Sequence, residues 1–524
     1  MATFSPAAHP TLAPRRRRFL WIAFAIGFLI GAAVGFYFIS ANWPYRYRKI
    51  KPMLEDALAS QLEITSYHRT YFPNPGFVAT GLTLRRKSAP NLPPLGHAQM
   101  MAVQGRWSDL LLLRRRVQTV ELTGLHIVVP PIGSQANRQN FPPGSSSDFA
   151  GPDTAIDMFK IHNSILEIME NNGKRLIFPV RELAFAHFEK DKVMNYTLDM
   201  QNAIPSGRIQ SRGAFGPLNA KQMAITPVSG TFTFTQVNLH DVGDISGTLS
   251  AKGQFRGQLG ALEAQADSLT PNFAVDGGRP TPVAGSIECT VNGTNGEVSM
   301  HNIELRTGQT TIHAIGSVQG SPKATNIDID VNRGRAQDVM RPFMRKEVPI
   351  TGTVWLRSHA FLEPEANGGG FLHRLHLSGV FDVPAERVTD RKTEKSLTDF
   401  SHRAEGTKDP DSDETSATAD TLSSLKGPAQ IQDGVASSKH LAFQIPGARA
   451  DLTGTFNFHN KVVHLVGNLR MDTDISHTTT GFKSFLLKPL APFFKKKHAG
   501  ALVPIAVTGQ PGHYQVTQDL GHNK

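Results

Sequence analysis

The residues that could do chemistry are scattered carboxylates and histidines. Asp328 and Asp330 lie two residues apart in the stretch NIDIDVN, so both side chains leave the same face of an extended strand. Such a pair could supply a general acid and a general base, but the alternating apolar residues favour a solvated outer face. His359, His373 and His376 come closest to a metal-ligand cluster, yet the spacing of the last two places them on opposite faces of a strand. The sequence predicts no catalytic residue and no metal site.

Sequence motifs for nucleotide binding and hydrolysis are missing as well. The chain contains no G-x-x-x-x-G-K-[ST], no strand-linked G-x-G-x-x-G, no H-E-x-x-H and no G-x-S-x-G. Gly368, Gly369 and Gly370 read as a flexible turn, since neither a helix start nor a lysine follows at the spacing of a phosphate cradle. We therefore expect a protein that is not an enzyme and that binds no cofactor.

The segment Phe19–Ala41 is an apolar run without a charged residue. A helix of this length covers about 34 Å, enough to cross a ~30 Å hydrocarbon core, whereas the apolar part of a cleaved signal peptide is only ~7–15 residues long. We expect a single-pass anchor with residues 1–18 in the cytoplasm. Gly27, Gly31 and Gly35 form a doubled GxxxG that could pack against a second helix, although small residues are common in membrane helices.

Composition indicates a large β-rich protein near a membrane. The chain has 524 residues with 46 Gly and 34 Pro, many in turn-like settings. Its net charge is +11. Much of this charge lies close to membrane-related segments, in Arg15–Arg18, Arg46–Lys51 and Lys483–Lys497. Anionic lipid headgroups are therefore the expected partner, and nucleic acid is not. Cys289 is alone, so no intrachain disulfide forms.

Apolar and polar residues alternate with a period of two along much of the chain. The pattern is clearest in Asn326–Asn332 and recurs in Thr231–Phe234, Leu441–Ile445 and Leu452–Phe458. Few helical patterns interrupt it between residues 115 and 480. The predicted fold class is mainly β: a transmembrane helix followed by a long, curled antiparallel sheet, with a few short helices.

One apolar face of such a sheet has no second layer to cover it. The sheet must then curl on itself or bind something apolar. We predict an open groove, apolar inside and charged outside, for which an acyl chain is the natural ligand. About 25 strands at a spacing of ~4.8 Å would make it about 120 Å long. The residues predicted to line it are Phe232, Phe234, Ile327, Ile329 and Val331.

Two amphipathic helices are predicted outside the repeating strands. Ile50–Leu62 has apolar residues at helical spacing. Gly481–Lys497 combines aromatic and basic residues and suits a membrane interface, the alternative being that it plugs the end of the sheet. Its predicted interface residues are Phe482, Phe485, Leu486, Phe493, Phe494, Lys495, Lys496 and Lys497.

Several of these stretches resemble the AsmA-like family. They are the aromatic-Pro-x-Pro turn leading into GLTL (residues 71–84), the segment Trp107–Pro130, and above all the C-terminal series TTTGFKSFLLKPLAPFFKKKHAGALVPIAVTG. The resemblance covers most of the chain after Phe19 and is loosest between residues 150 and 340. It suggests this division: a basic tail (1–18), a transmembrane helix (19–41), an N-terminal region (45–150), a repetitive β-groove (151–385), a partly disordered loop (386–438) and a C-terminal region (439–524).

The resemblance implies a protein anchored in the bacterial inner membrane, with the bulk of the chain in the periplasm. AsmA-like and TamB-like proteins are similar in build to bridge-like lipid transfer proteins and are linked to phospholipid movement and outer-membrane assembly. Phospholipid is then the expected ligand, with outer-membrane assembly proteins as further partners. Two alternatives remain open: a structural or regulatory scaffold that binds assembly factors through its sheet edges, and an envelope enzyme acting on glycan or lipid.

Overall fold

The structure is a computed structural model. It describes residues 43–57, 60–86, 94–112, 114–131, 155–170, 173–189, 191–219, 222–319, 324–348, 350–364, 370–389, 401, 423–471, 502–510 and 513–518. The chain is mainly β, as predicted from its alternating pattern. The predicted anchor lies outside the described residues, and no helix within them is long and apolar enough to span a membrane.

The described helices are short and the strands are long. The helices are α1 (Tyr47–Ala57), α2 (Trp107–Leu111), α3 (Ala336–Met340) and α4 (Phe371–Arg374), with 3-10 turns at Met223–Ile225, Leu239–Val242 and Arg341–Phe343. The strands are β1 (Ser60–Thr70), β2 (Gly76–Arg86), β3 (Gly96–Gln104), β4 (Arg116–Thr123), β5 (His126–Val129), β6 (Ala155–Met169), β7 (Arg175–Phe188), β8 (Met194–Asn202), β9 (Gly207–Phe215), β10 (Pro227–Asn238), β11 (Ile245–Ser246), β12 (Thr248–Gln258), β13 (Ala261–Val275), β14 (Thr281–Val291), β15 (Val298–Thr307), β16 (Thr310–Val318), β17 (Thr325–Arg335), β18 (Ile350–Leu362), β19 (Leu375–Val388), β20 (Ser423–Gln432), β21 (Val435–Ile445), β22 (Ala448–Asn457), β23 (Val463–Met471), β24 (Leu502–Gln510) and β25 (His513–Gln518).

Strands that follow one another along the chain pair with one another over most of the sheet. Strands β4 and β5 both pair with β3 on one side and with β6 on the other, and the two-residue β11 pairs with β13 beside the main ladder. The prediction of a wholly antiparallel sheet needs one correction, because β4 and β5 pair with β6 in parallel. A parallel neighbour requires a long crossover, and the chain between Val129 and Ala155 supplies one.

Hairpin turns follow the local chemistry of Gly and Asp. Asp276 and Gly277 both have positive φ (49° and 69°), and Asp433 and Gly434 repeat this arrangement (52° and 70°) between β20 and β21. Two successive positive φ angles give the turn a twist that matches the right-handed twist of the flanking strands. Gly277 thus lies in the turn between β13 and β14.

The first amphipathic segment is shorter than predicted. The helix covers Tyr47–Ala57, whereas Leu62, the end of the predicted Ile50–Leu62 helix, lies in β1. Residues from Ser60 onward alternate buried and exposed and pair with β2, so sheet pairing overrides helical spacing there. Glu55 links the two elements, since its Oε1 accepts the Leu62 N–H at 2.9 Å.

The segment predicted as a partly disordered loop, residues 386–438, contains regular structure at both ends. β19 extends to Val388, β20 begins at Ser423 and β21 begins at Val435. β19 pairs directly with β20, so the sheet continues across this segment. Residues 390–400 and 402–422 lie outside the described residues.

The sheet curls back on itself. Asp276, in the β13–β14 turn, lies 3.2 Å from the Lys461 Nζ in the β22–β23 turn. Nine strand spacings separate these turns, which would place them about 43 Å apart in a flat sheet. A second contact of this kind joins the Asp244 carboxylate to the Leu372 N–H at 3.3 Å. Turns at one end of the strands therefore contact turns at the opposite end, as in a curled ribbon. We call this line of contact the seam.

Candidate functional site

Cross-strand partners place apolar or small residues in one line across most of the sheet. Directly paired residues share a face of the sheet, so the pairings define which side chains stand together. We call this line the first apolar row. It runs through Ala79, Met101, Leu122, Ile161, Leu183, Leu198, Ser211, Phe232, Gly253, Ala266, Ile287, Ile303, Ala314, Ile329, Ser358, Gly379 and Ala429. No member carries a charge.

A second apolar row lies beside the first on the same face, two residues away along each strand except β15, where a bulge makes the separation three residues. It takes one residue from every strand between β2 and β24 except β5 and β11. Its members are Phe77, Val103, Val120, Phe159, Phe185, Tyr196, Gly213, Gly230, Phe255, Ala264, Cys289, Met300, Gly316, Ile327, Ala360, Leu377, Ile431, Ala436, Phe456, Val463 and Gly509. This row also carries no charge, so the uncharged surface is both long and at least two residues wide.

The opposite face is polar along the same path. The line one residue away from the first apolar row reads Glu182, Asp199, Gln210, Thr233, Lys252, Asp267, Ser286, Glu304, His313, Asp330 and Arg357. In β12 and β13 these polar positions are exposed, whereas the intervening apolar positions are half-buried. The apolar face is therefore the less exposed face of the sheet here, and we call it the inner face and the charged face the outer face.

The structure brings the predicted groove residues onto this inner face. Phe232 and Ile329 belong to the first apolar row, and Ile327 belongs to the second. Phe234 lies two residues beyond Phe232 and points the same way. Val331 needs a correction as a lining residue. It is only 2% exposed and sits in a closed core cluster.

Closed cores cover parts of the inner face and leave its middle open. The N-terminal strands are covered by α1, whose Ile50 and Leu54 pack on the cluster around Phe77. Helix α3 covers the β17–β19 region through Ala336, the residue that packs with Val331. A third cluster lies in β21–β24. Between β7 and β16 the described members of the two rows are mostly half-buried, with no described helix packed over them.

Polar atoms on the open part of the inner face are paired within the sheet. The Tyr196 hydroxyl and the Ser211 Oγ lie 2.9 Å apart, and that Oγ donates to the Thr231 carbonyl at 3.0 Å. Burial raises the pKa of the Tyr196 hydroxyl and of the Cys289 thiol above their ordinary values, so both groups stay neutral. Nothing here offers a charge to a ligand, and the surface suits hydrocarbon.

The histidines predicted as the nearest approach to a metal cluster each contact a different carboxylate. His359 Nδ1 lies 2.7 Å from Asp328, His376 Nε2 lies 2.8 Å from Glu363, and the third member pairs with Asp433 at 3.3 Å. Within the described part of the chain, no three His, Cys, Asp or Glu side chains come together in a way that could hold a metal ion.

The charged outer face has an open hollow of about 950 Å³ whose lining includes Glu182, Asp199, Lys252 and Asp267. Asp199 is held by two hydrogen bonds from the Arg208 guanidinium, at 2.9 and 2.6 Å. These bonds lower the pKa of the carboxyl group. A carboxylate stabilised in its charged form is a poor proton donor, so Asp199 does not suit the role of the general acid that an envelope hydrolase would need.

Sequence reasoning missed the small members of both rows, which are mainly alanine, glycine and serine. In β13, Ala264 and Ala266 alternate with Gln265 and Asp267, and in β12 Gly253 lies between two polar residues. Alternation of Ala or Gly with charged residues carries the same period as alternation of Ile or Phe. A search for uncharged residues, rather than for large apolar ones, would have found these positions.

Two other groups of predicted residues lie outside the described residues. They are the helix-packing glycines Gly27, Gly31 and Gly35, and the interface residues from Phe482 to Lys497. No protein-family model matches the chain, and no curated protein matches it either. The AsmA-like resemblance therefore stays a prediction.

Proposed function

We propose that this chain is an AsmA-like protein, anchored in the inner membrane with its bulk in the periplasm, that binds phospholipid along its inner face. Acyl chains lie against the two apolar rows while the headgroups stay in water at the seam of the curl. In this role the protein moves phospholipid between the inner and outer membranes and so supports outer-membrane assembly.

The observation that carries the proposal is the unbroken first apolar row. Transfer of a tail of ~16 methylenes into water costs about 13 kcal/mol, at ~0.8 kcal/mol for each methylene. Where the inner face is open, between β7 and β16, a surface that stays uncharged from strand to strand removes most of that barrier. An isolated apolar patch would lower the barrier at one point only. A scaffold that binds proteins through its sheet edges would not need a continuous apolar surface.

Site-specific photocrosslinking in the full-length chain, in its native membranes, tests the proposal. Photoreactive residues at Phe232, Ile327 and Ile329 should crosslink to phospholipid, which mass spectrometry identifies. The matched controls are Asp328 and Asp330, which lie in the same strand as two of the probes but on the charged face. Lipid adducts at the controls as strong as at the probes, or protein adducts alone, would reject lipid binding and favour the scaffold.

A further inference from the structure

One end of the sheet carries a patch of large apolar side chains in water. Phe72, in the β1–β2 turn, is 88% exposed, and Leu111 and Leu112, at the end of α2, are 75% and 61% exposed. Most exposed apolar residues of a soluble surface are scattered singly, whereas these three come from two loops that pack against each other. We call them the apolar tip.

The apolar tip is held in place by a buried aromatic cluster. Trp43 has no exposed surface, and its ring lies 4.6 Å from that of Tyr71 and 5.7 Å from that of Trp107. The Trp107 Nε1–H also donates to the Pro73 carbonyl at 3.2 Å. The turn with Phe72 and the helix with Leu111 are therefore fixed relative to each other, and the exposure of their side chains is built into the fold.

Arginines surround the apolar tip. Arg114, Arg115 and Arg116 follow α2 directly and are exposed, and Arg106 precedes it. Three carboxylates lie near these four arginines. Asp157 pairs with Arg106 and Arg116, the buried Asp109 lies 4.0 Å from Arg114, and Glu189 interacts electrostatically with Arg116. The local balance stays positive. Exposed apolar side chains within a positive rim suit a lipid surface with anionic headgroups.

The position of the apolar tip along the chain also favours a lipid surface as its partner. The apolar run Phe19–Ala41 ends two residues before Trp43, the residue at the centre of the aromatic cluster. A membrane anchor in that run, as proposed above, would therefore leave the apolar tip close to the bilayer. We propose that the apolar tip docks on the surface of an anionic bilayer and inserts Phe72, Leu111 and Leu112 among its headgroups. This inference does not depend on lipid binding by the inner face.

Fluorescence quenching by spin-labelled lipids tests the docking. The full-length chain, with Cys289→Ser as background, carries one environment-sensitive dye at Phe72→Cys or Leu111→Cys and is reconstituted into phosphatidylcholine vesicles with or without phosphatidylglycerol. We expect quenching by lipids labelled near the headgroup, stronger when phosphatidylglycerol is present. Leu269→Cys is the control, because Leu269 is 50% exposed on the charged face of β13, away from this end.

A charge-reversal variant gives a second measurement. Arg114→Glu combined with Arg115→Glu should reduce the quenching at Phe72→Cys, while circular dichroism checks that the fold is kept. Quenching at the tip no stronger than at Leu269→Cys would overturn the proposal and favour a protein partner or the chain's own N-terminal segment as the occupant. Lipid crosslinks from the inner face can succeed or fail independently of this result.

Discussion

At the scale of single residues, glycines in the second apolar row decide how closely two strands approach. A Cβ added to Gly213 would overlap the Ser229 carbonyl oxygen of the neighbouring strand. One added to Gly230 would lie 2.6 Å from the Tyr196 hydroxyl and 3.2 Å from Phe255 Cζ. The side chains of Tyr196 and Phe255 therefore lie over the backbone at Gly230, which keeps the row apolar at a residue without a side chain.

We predict that Gly213→Ala lowers the free energy of unfolding by about 1–3 kcal/mol, because the atom it meets belongs to the backbone and cannot rotate away. Urea denaturation of the detergent-solubilised chain measures the loss. Thr231→Ala, at an exposed position on the other face of β10, serves as the control and should stay within about 0.5 kcal/mol of the parent. Equal midpoints for the two variants would contradict the close strand contact.

The Asp199–Arg208 pair gives a pH-dependent prediction. Hydrogen bonds from the guanidinium lower the pKa of Asp199 below its ordinary value of 3.8. The pair's contribution to stability is therefore present above pH 3.8 and is lost as the pH falls through the lowered pKa. Because the Arg208 side chain is 38% exposed, solvent screening keeps this contribution small.

Unfolding midpoints of the parent and of Asp199→Asn, measured between about pH 7 and pH 2, test this sign. The difference between the two should be largest at neutral pH and should vanish towards the acid end of the range. Asp267→Asn, on the same face, controls for general charge effects. A difference that grows on acidification would show that the carboxylate is not stabilised in its charged form.

At the scale of elements, the seam depends on one carboxylate between three loops. Asp276 faces Lys461 at 3.2 Å and Arg345 at 3.4 Å, and the backbone of its turn is bound on both sides. The Asp276 N–H donates to the Asp244 carbonyl at 2.7 Å, and the Arg279 N–H donates to the Met344 carbonyl at 3.0 Å. Turns that are distant along the sheet thus meet at this residue.

Lys461→Glu should therefore loosen the seam. Repulsion between the introduced carboxylate and that of Asp276 should speed hydrogen exchange at the amides of residues 276–279 by up to about fivefold, the equivalent of ~1 kcal/mol. Lys461→Arg should keep the protection. Lys192→Glu, which breaks an exposed pair in the β7–β8 hairpin, is the control and should leave these amides unchanged. Unchanged exchange in Lys461→Glu would mean that the curl is set by strand twist alone.

Individual strands were predictable from local pattern, but their mutual placement was not. The alternation in Asn326–Asn332 marks β17, and Gly277-Gly278 marks a turn, because both signals lie within a few neighbouring residues. The parallel pairing of β4 with β6, the helix α3 that closes over Val331, and the contact of Asp276 with Lys461 each join distant parts of the chain. Period and composition carry no information on such contacts, so the sequence placed Val331 among the groove residues although α3 covers it.

At the scale of the whole molecule, the question is whether the inner face acts as one surface or as several separate patches. Closed clusters lie under α1, near α3 and at β21–β24, with the open stretch from β7 to β16 between the first two. The first apolar row runs from β2 to β20 and the second from β2 to β24, and neither carries a charge. Continuity of a row is a property of the assembled sheet, since each strand contributes only one residue to it.

Ile287→Asp separates these two possibilities. Ile287 lies in β14, between Phe232 in β10 and Ile329 in β17, and its replacement puts a charge in the path of an apolar chain. If lipid moves along one continuous surface, photocrosslinking should keep its yield at one probe, Phe232 or Ile329, and lose it at the other. Ser286→Asp, one residue away on the charged face, should leave both yields unchanged. Undiminished crosslinking at both probes in Ile287→Asp would mean that lipid enters separate patches, and conduction along the sheet would have to be abandoned even if lipid binding stood.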